Sequence, residues 1–132
     1  MARDHRKLKV FQLADELVIK VYAETATFPS EERFGLCSQI RRAAVSVPAN
    51  LVEGCARETT GDYLRFINVA PGSAAEAIYL IDLSCRLDFL RQDVLARLEP
   101  GYSKLLKQLQ SLYKSLDSHR KSRRAQTQEP EA

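Results

Sequence analysis

Apolar residues recur along this chain at three-and-four spacing in four long blocks, the pattern of one buried face per helix. In the first block Val10, Leu13, Ala14, Leu17, Val21 and Tyr22 keep the period between Lys9 and Thr27, and Phe11 and Val18 widen the stripe. Phe28-Pro29 ends it, because the residue before a proline is pushed out of the helical region. Ser30 fits as the N-cap of a second helix running to about Arg57, with Glu31 and Glu32 in the first turn, where the helix dipole favours negative charge. A third helix spans about 60–90, opened by Thr59 and Asp62 at capping-box spacing. Asp93 caps a fourth, which carries Leu95, Leu98, Leu105, Leu109, Leu112 and Leu116. The four predict an all-α, up-down-up-down antiparallel four-helix bundle over residues 9–118.

Helices 2 and 3 are apolar on two sides. Leu36, Ile40, Ala43, Ala44, Val47, Leu51 and Cys55 line one face of helix 2, and Val45, Pro48 and Val52 form a second strip. On helix 3, Tyr63, Ile67, Ala70, Ala74, Ala77, Ile78, Ile81 and Cys85 line one face, and Phe66, Ser73, Leu80 and Leu87 a second. A helix apolar on two sides is buried on two sides, so copies of the chain are expected to associate. The candidate interface is Val45, Pro48, Val52, Phe66 and Leu80. An interior proline costs ~3 kcal/mol, so Pro48 predicts a kink, the competing reading being two short helices that meet there. Pro71-Gly72 is a turn signal in isolation, but the period passes through it in phase, which favours one kinked helix. Pro100-Gly101 predicts a kink or break after two turns of helix 4.

Composition narrows the class. Hydrophobic residues make up 45% and charged residues 28% of 132, the balance of a globular domain rather than a disordered one. Only 5 Gly and 5 Pro argue against a turn-rich all-β fold. No run of apolar residues is long enough for a membrane span, and the opening MARDHRKLKV lacks the apolar stretch of a secretory signal. Cys37, Cys55 and Cys85 are an odd number without CxxC spacing. They read as small buried hydrophobes in a reducing, cytoplasmic setting.

Charge is segregated. Residues 1–9 and 119–132 hold 8 of the 20 basic and 3 of the 17 acidic side chains, a surplus of +5 at the ends against −2 for the body. Residues 1–8 read as a flexible basic N-terminus and 119–132 as a disordered basic tail, since SHRKSRRAQTQEPEA has no large apolar residue. Basic ends suit an RNA or DNA partner, and equally suit two solvated tails. The candidate nucleic-acid contacts are Arg3, Arg6, Lys7, Lys9, Arg120, Lys121, Arg123 and Arg124, with Arg41 and Arg42 added from helix 2.

Little else points to chemistry. The two histidines, His5 and His119, lie outside the core pattern, so the inward Glu-x-x-His pairs of a di-iron bundle cannot form. No Gly-rich phosphate loop or GxSxG elbow is present, and neither an enzyme nor a cofactor is expected. Arg41 and Arg42 could meet phosphates or pair with Glu76, Glu53 or a neighbouring subunit's carboxylate, and their place between two apolar strips favours the structural role. Tyr63 and Phe66 could stack on bases, though packing explains them as well. Ser46, Asn50 and Ser73 fit as hydrogen-bonding spacers where helices approach closely.

The run GLCSQIRRAAVSVPANLVEG, from Gly35 to Gly54, resembles the signature of the four-helix bundle family of bacterial 23S ribosomal RNA intervening-sequence proteins. The segment from Tyr63-Leu64-Arg65-Phe66 through Gly72-Ser73 to Glu76 is similar to its second signature, as is the opening from Phe11 to Thr25 before Phe28-Pro29. Together these cover about residues 10–117. Pro71 departs from the pattern, which usually carries an ordinary helix former there. The resemblance implies a bundle that assembles into a ring, typically a homopentamer. It also extends to the accessory protein of diversity-generating retroelements, a basic pentamer that binds nucleic acid and a reverse transcriptase, so a protein client of that kind is implied too. The expected function is therefore a non-enzymatic oligomeric bundle that displays basic termini to RNA or DNA. The alternative is a protein-interaction adaptor with solubilising tails.

Overall fold

The structure, a computed structural model, describes residues 3–127. Four α-helices account for most of them: α1 Lys9–Thr25, α2 Leu36–Cys55, α3 Thr60–Arg86 and α4 Asp93–Thr127. Short 3-10 turns at His5–Lys7 and Ser30–Glu32 complete the elements, and no strand occurs among the described residues. None of the described helices is long and apolar enough to cross a membrane.

The periodic residues point where their spacing sends them. Leu17, Val21, Ile40, Val47, Leu51, Ile67, Ala74, Ile81, Leu105 and Leu109 form one continuous core. Leu90, Val94 and Tyr102, which are not among the periodic residues named for helices 3 and 4, join it as well. α2 packs against both α1 and α3, which is why its apolar surface is so broad. Close contacts fix how neighbours pass one another. Ser46 and Ser73 share a hydrogen bond of 2.8 Å between α2 and α3. Asn50 donates to the Ser46 hydroxyl at 3.0 Å and to its carbonyl at 2.7 Å, so the three expected spacers form one polar strip. Arg97 on α4 grips the Glu24 carboxylate of α1 at 2.7 and 2.8 Å.

Several boundaries differ from the sequence reading. Ser30 does not cap α2. It opens a separate 3-10 turn, and α2 starts six residues later, after Gly35. The Glu32 carboxylate serves as the cap instead, accepting from the Leu36 backbone N–H at 3.2 Å. Thr59 does cap α3, its hydroxyl accepting from the Asp62 N–H at 3.1 Å. Pro48, Pro71 and Pro100 all lie inside continuous helices, so neither the split at Pro48 nor the break at Pro100 occurs. Gly101 is there for packing: a Cβ at this position would stand 2.8 Å from Leu17 Cδ2.

The described residues near both ends are more ordered than composition suggested. Asp4 caps the first turn by accepting from the Arg6 N–H, so the described part of residues 1–8 is structured. α4 continues nine residues beyond Ser118, to Thr127. Arg, Lys, Gln and Ala are good helix formers, and Asp117 adds ion pairs to Arg120 and Lys121 at the three- and four-residue spacing. Expected tail residues 128–132 lie outside the described residues.

Candidate nucleic-acid interface

Thr60, at the start of α3, is where Arg3 of the N-terminal segment and the last described turns of α4 meet. Arg3 donates to the Thr60 hydroxyl at 3.3 Å and to the Arg57 carbonyl at 3.1 Å, tying the N-terminal segment to the connection between α2 and α3. Its guanidinium lies 4.3 Å from the centre of the Tyr63 ring. From the other side, Arg120 brings a guanidinium nitrogen within 3.6 Å of where a Cβ on Gly61 would stand. A cleft of about 200 Å3 results, lined by Thr60, His119, Arg120, Arg123 and Arg124. Arg3 and Arg6 border a second cleft with Asp4 and His5 on the N-terminal side. Residues far apart in sequence thus build one basic end around the first turn of α3, whose dipole adds to the positive potential.

Most carboxylates at this end are engaged, while Glu58, exposed just before Thr59, forms no ion pair with a described residue. Asp117 accepts from Arg120 at 3.0 Å and lies 3.2 Å from the Lys121 ammonium, and those two cations hold its carboxyl below the usual range. Asp4 is tied to Arg6 at 3.1 Å, and its carboxyl is lowered likewise by that bond. Asp62 faces Arg65 at 3.7 Å. Lys7 and Lys9 stand exposed on the N-terminal segment and the first turn of α1. Arg57 also belongs to this end, with its guanidinium 4.6 Å from the centre of the Phe66 ring. It was missed because it sits in the acidic body. The expected bundle connectivity was the signal that could have found it, since that places the second connection beside both termini.

Arg41 and Arg42 are not part of this cluster. They lie toward the start of α2, and from Arg42 to Cys55 the helix rises about 20 Å. Arg41 is structural, though not with Glu76 or Glu53. It donates to the Thr25 hydroxyl at 2.9 Å and lies 4.3 Å over the Tyr22 ring. Arg42 is exposed and forms no ion pair with a described residue.

The stacking and interface expectations need correction. Tyr63 is 2% exposed, covered by Arg3, and its hydroxyl accepts from the Cys55 thiol at 3.9 Å, so it cannot receive a base. Burial first, and Cys55 second, push its hydroxyl pKa up. Phe66 is half-buried beneath Arg57. Pro48 and Leu80 belong to the subunit's own core, because α2 and α3 close on each other there, and neither is free for a partner. Val45 and Val52 do face outward. Val69 and Tyr79 on α3, 52% and 56% exposed, and Ile19 on α1, 67% exposed, are apolar side chains of the outer surface that the periodic stripes do not include.

The family model described as 23S rRNA-intervening sequence protein matches residues 6–111. Among solved structures, the fold is similar to that of a protein of unknown function from the S23 ribosomal protein family of Bacteroides thetaiotaomicron. The two share 22% identity with a TM-score of 0.72, over 80% of this chain and 98% of that one. No curated protein sequence matches.

Proposed function

The chain belongs to the 23S rRNA-intervening sequence protein family, and on that premise we propose that it is a non-enzymatic, self-associating bundle that binds RNA or DNA through its basic end. The observation that carries this reading is the convergence on Thr60 of Arg3 from the N-terminal segment and Arg120, Arg123 and Arg124 from α4, with Arg57 adjoining over Phe66. An up-down-up-down antiparallel order accounts for it, since that order puts both termini and the second connection together. Guanidinium groups grouped in this way suit phosphates, which they can grip in bidentate fashion.

The apolar residues left outside support self-association. Val45 and Val52 on α2 and Val69 and Tyr79 on α3 give copies of the subunit something to bury against each other. A closed ring, a pentamer in the resemblance drawn above, would repeat the basic end around its axis, so modest contacts multiply through avidity. A reverse-transcriptase-like client and a cytoplasmic location complete the proposal. The adaptor alternative separates cleanly by experiment. In a titration with labelled RNA at low salt, the double variant Arg120→Gln/Arg123→Gln should weaken binding at least tenfold while its circular dichroism remains that of a folded helical bundle. Parent-like binding by the variant would rule out the basic end as the contact.

A further inference from the structure

At the opposite end of α2 from the basic cluster, a cleft of about 410 Å3 opens between α1, the 30–35 connection and α2. Such a volume lies in the range of small-ligand pockets, roughly 300–1,000 Å3. Phe34 stands at its edge, 89% exposed. That is an unusual position for a side chain that normally hides its whole ring. Tyr22, Arg33, Arg41, Arg42 and Val45 line the rest together with Cys37 and Ser38, and no lining residue is acidic. The cleft therefore carries three guanidinium groups beside one open aromatic ring, that of Phe34, since Arg41 lies over the Tyr22 ring.

The nearby carboxylates do not neutralise it. Glu32 is turned to the Leu36 N–H, and Glu24 is held by Arg97 on α4. Glu31 is exposed on the short 3-10 turn and makes no ion pair with a described residue. Arg41 is committed to Thr25 and Tyr22. Arg33 lies 5.8 Å from the Phe34 ring centre, and neither it nor Arg42 forms an ion pair with a described residue. An occupant that would complement the free guanidinium groups and the open ring offers negative charge next to a flat apolar face. A nucleotide of a single strand has both, with its phosphate beside an open base. In a duplex the base faces are covered by their neighbours.

We propose that this cleft is a stacking site for single-stranded nucleic acid, with Phe34 receiving a base and Arg33 and Arg42 its flanking phosphates. The inference rests on the reading that the protein binds nucleic acid, and adds a second site with strand selectivity. It assigns to Phe34 the base-stacking role that buried Tyr63 cannot fill.

Fluorescence anisotropy with a labelled RNA of about 10 nucleotides, single-stranded and as its blunt duplex, tests it on the full chain. Phe34→Ala should weaken single-strand binding about fivefold or more, in keeping with the loss of one stacked base, and leave duplex binding within about twofold. Phe34→Trp should retain parent affinity. Arg33→Gln/Arg42→Gln should weaken the single strand as well. Equal binding of single strand by Phe34→Ala and parent overturns the inference and leaves the basic end standing. So does a fall in sedimenting mass on Phe34→Ala without loss of RNA affinity, which would make this face a contact between copies. Failure of the parent to bind either RNA overturns both proposals together.

Discussion

Gly54 and Gly72 lie in adjacent helices and call for opposite outcomes on substitution. A Cβ at Gly54 would come within 2.9 Å of the Tyr63 ring and 3.1 Å of Phe66 Cβ, in the buried seam of α2 and α3. Gly54→Ala should therefore destabilise by about 1–3 kcal/mol through overpacking. At Gly72 nothing stands within 4 Å, so Gly72→Ala should stabilise by about 0.5–1 kcal/mol, by removing a glycine from an open helix position. Urea unfolding of both variants checks the pair. Tyr102 offers a third case: its ring is 1% exposed, its hydroxyl has no described partner, and burial pushes its pKa up to about 12. Tyr102→Phe should be neutral or raise stability by up to about 1 kcal/mol, since a buried unpaired hydroxyl is costly; a loss of 2 kcal/mol or more would mean the hydroxyl has a bonding role. These distinctions were not legible in the sequence. Gly101 and Gly72 both follow a proline, yet one clears space for Leu17 and the other faces outward. A glycine's identity does not say whether turn, contact or neither demands it.

The helices themselves were legible where periodicity is long. Ile67, Ala70, Ala74 and Ala77 keep phase through Pro71, and the helix is continuous there as that phase required. Periodicity failed at the ends, where local hydrogen bonds decide. Glu32 caps α2 from four residues away, and Asp117 carries α4 onward through Arg120 and Lys121. Composition reports neither. The pH dependence at Asp117 follows from its cations. Its carboxyl is lowered in the folded helix, so the stabilisation is present above the ordinary carboxylate range and is lost as pH falls through the depressed value. Asp117→Asn should thus reduce the helical 13C shifts of residues 117–124 at neutral pH. In strong acid the variant and parent should coincide, because the parent's carboxyl is then protonated too.

At the scale of the whole molecule, charge and apolar surface are sorted to different places. The basic residues from both termini gather at one end with Arg57, while Val69 and Tyr79 sit on the flank of α3. The charge surplus of the termini was legible in the sequence, but its concentration around Thr60 needed the helices in place. The two-sided stripe of α2 was legible as well, but most of it is covered by α1 and α3 of the same chain rather than by a copy. Sedimentation equilibrium at micromolar concentration should still give a multiple of 14.9 kDa, and Val69→Asp/Tyr79→Asp should lower it. The central claim is that this end of the bundle grips phosphates, and its most direct measurement is RNA affinity as a function of salt. With about four phosphates neutralised per subunit, log K should fall against log salt with a slope of roughly −3 for a single strand. No retained RNA at low salt, or an affinity that does not change with salt, would contradict it.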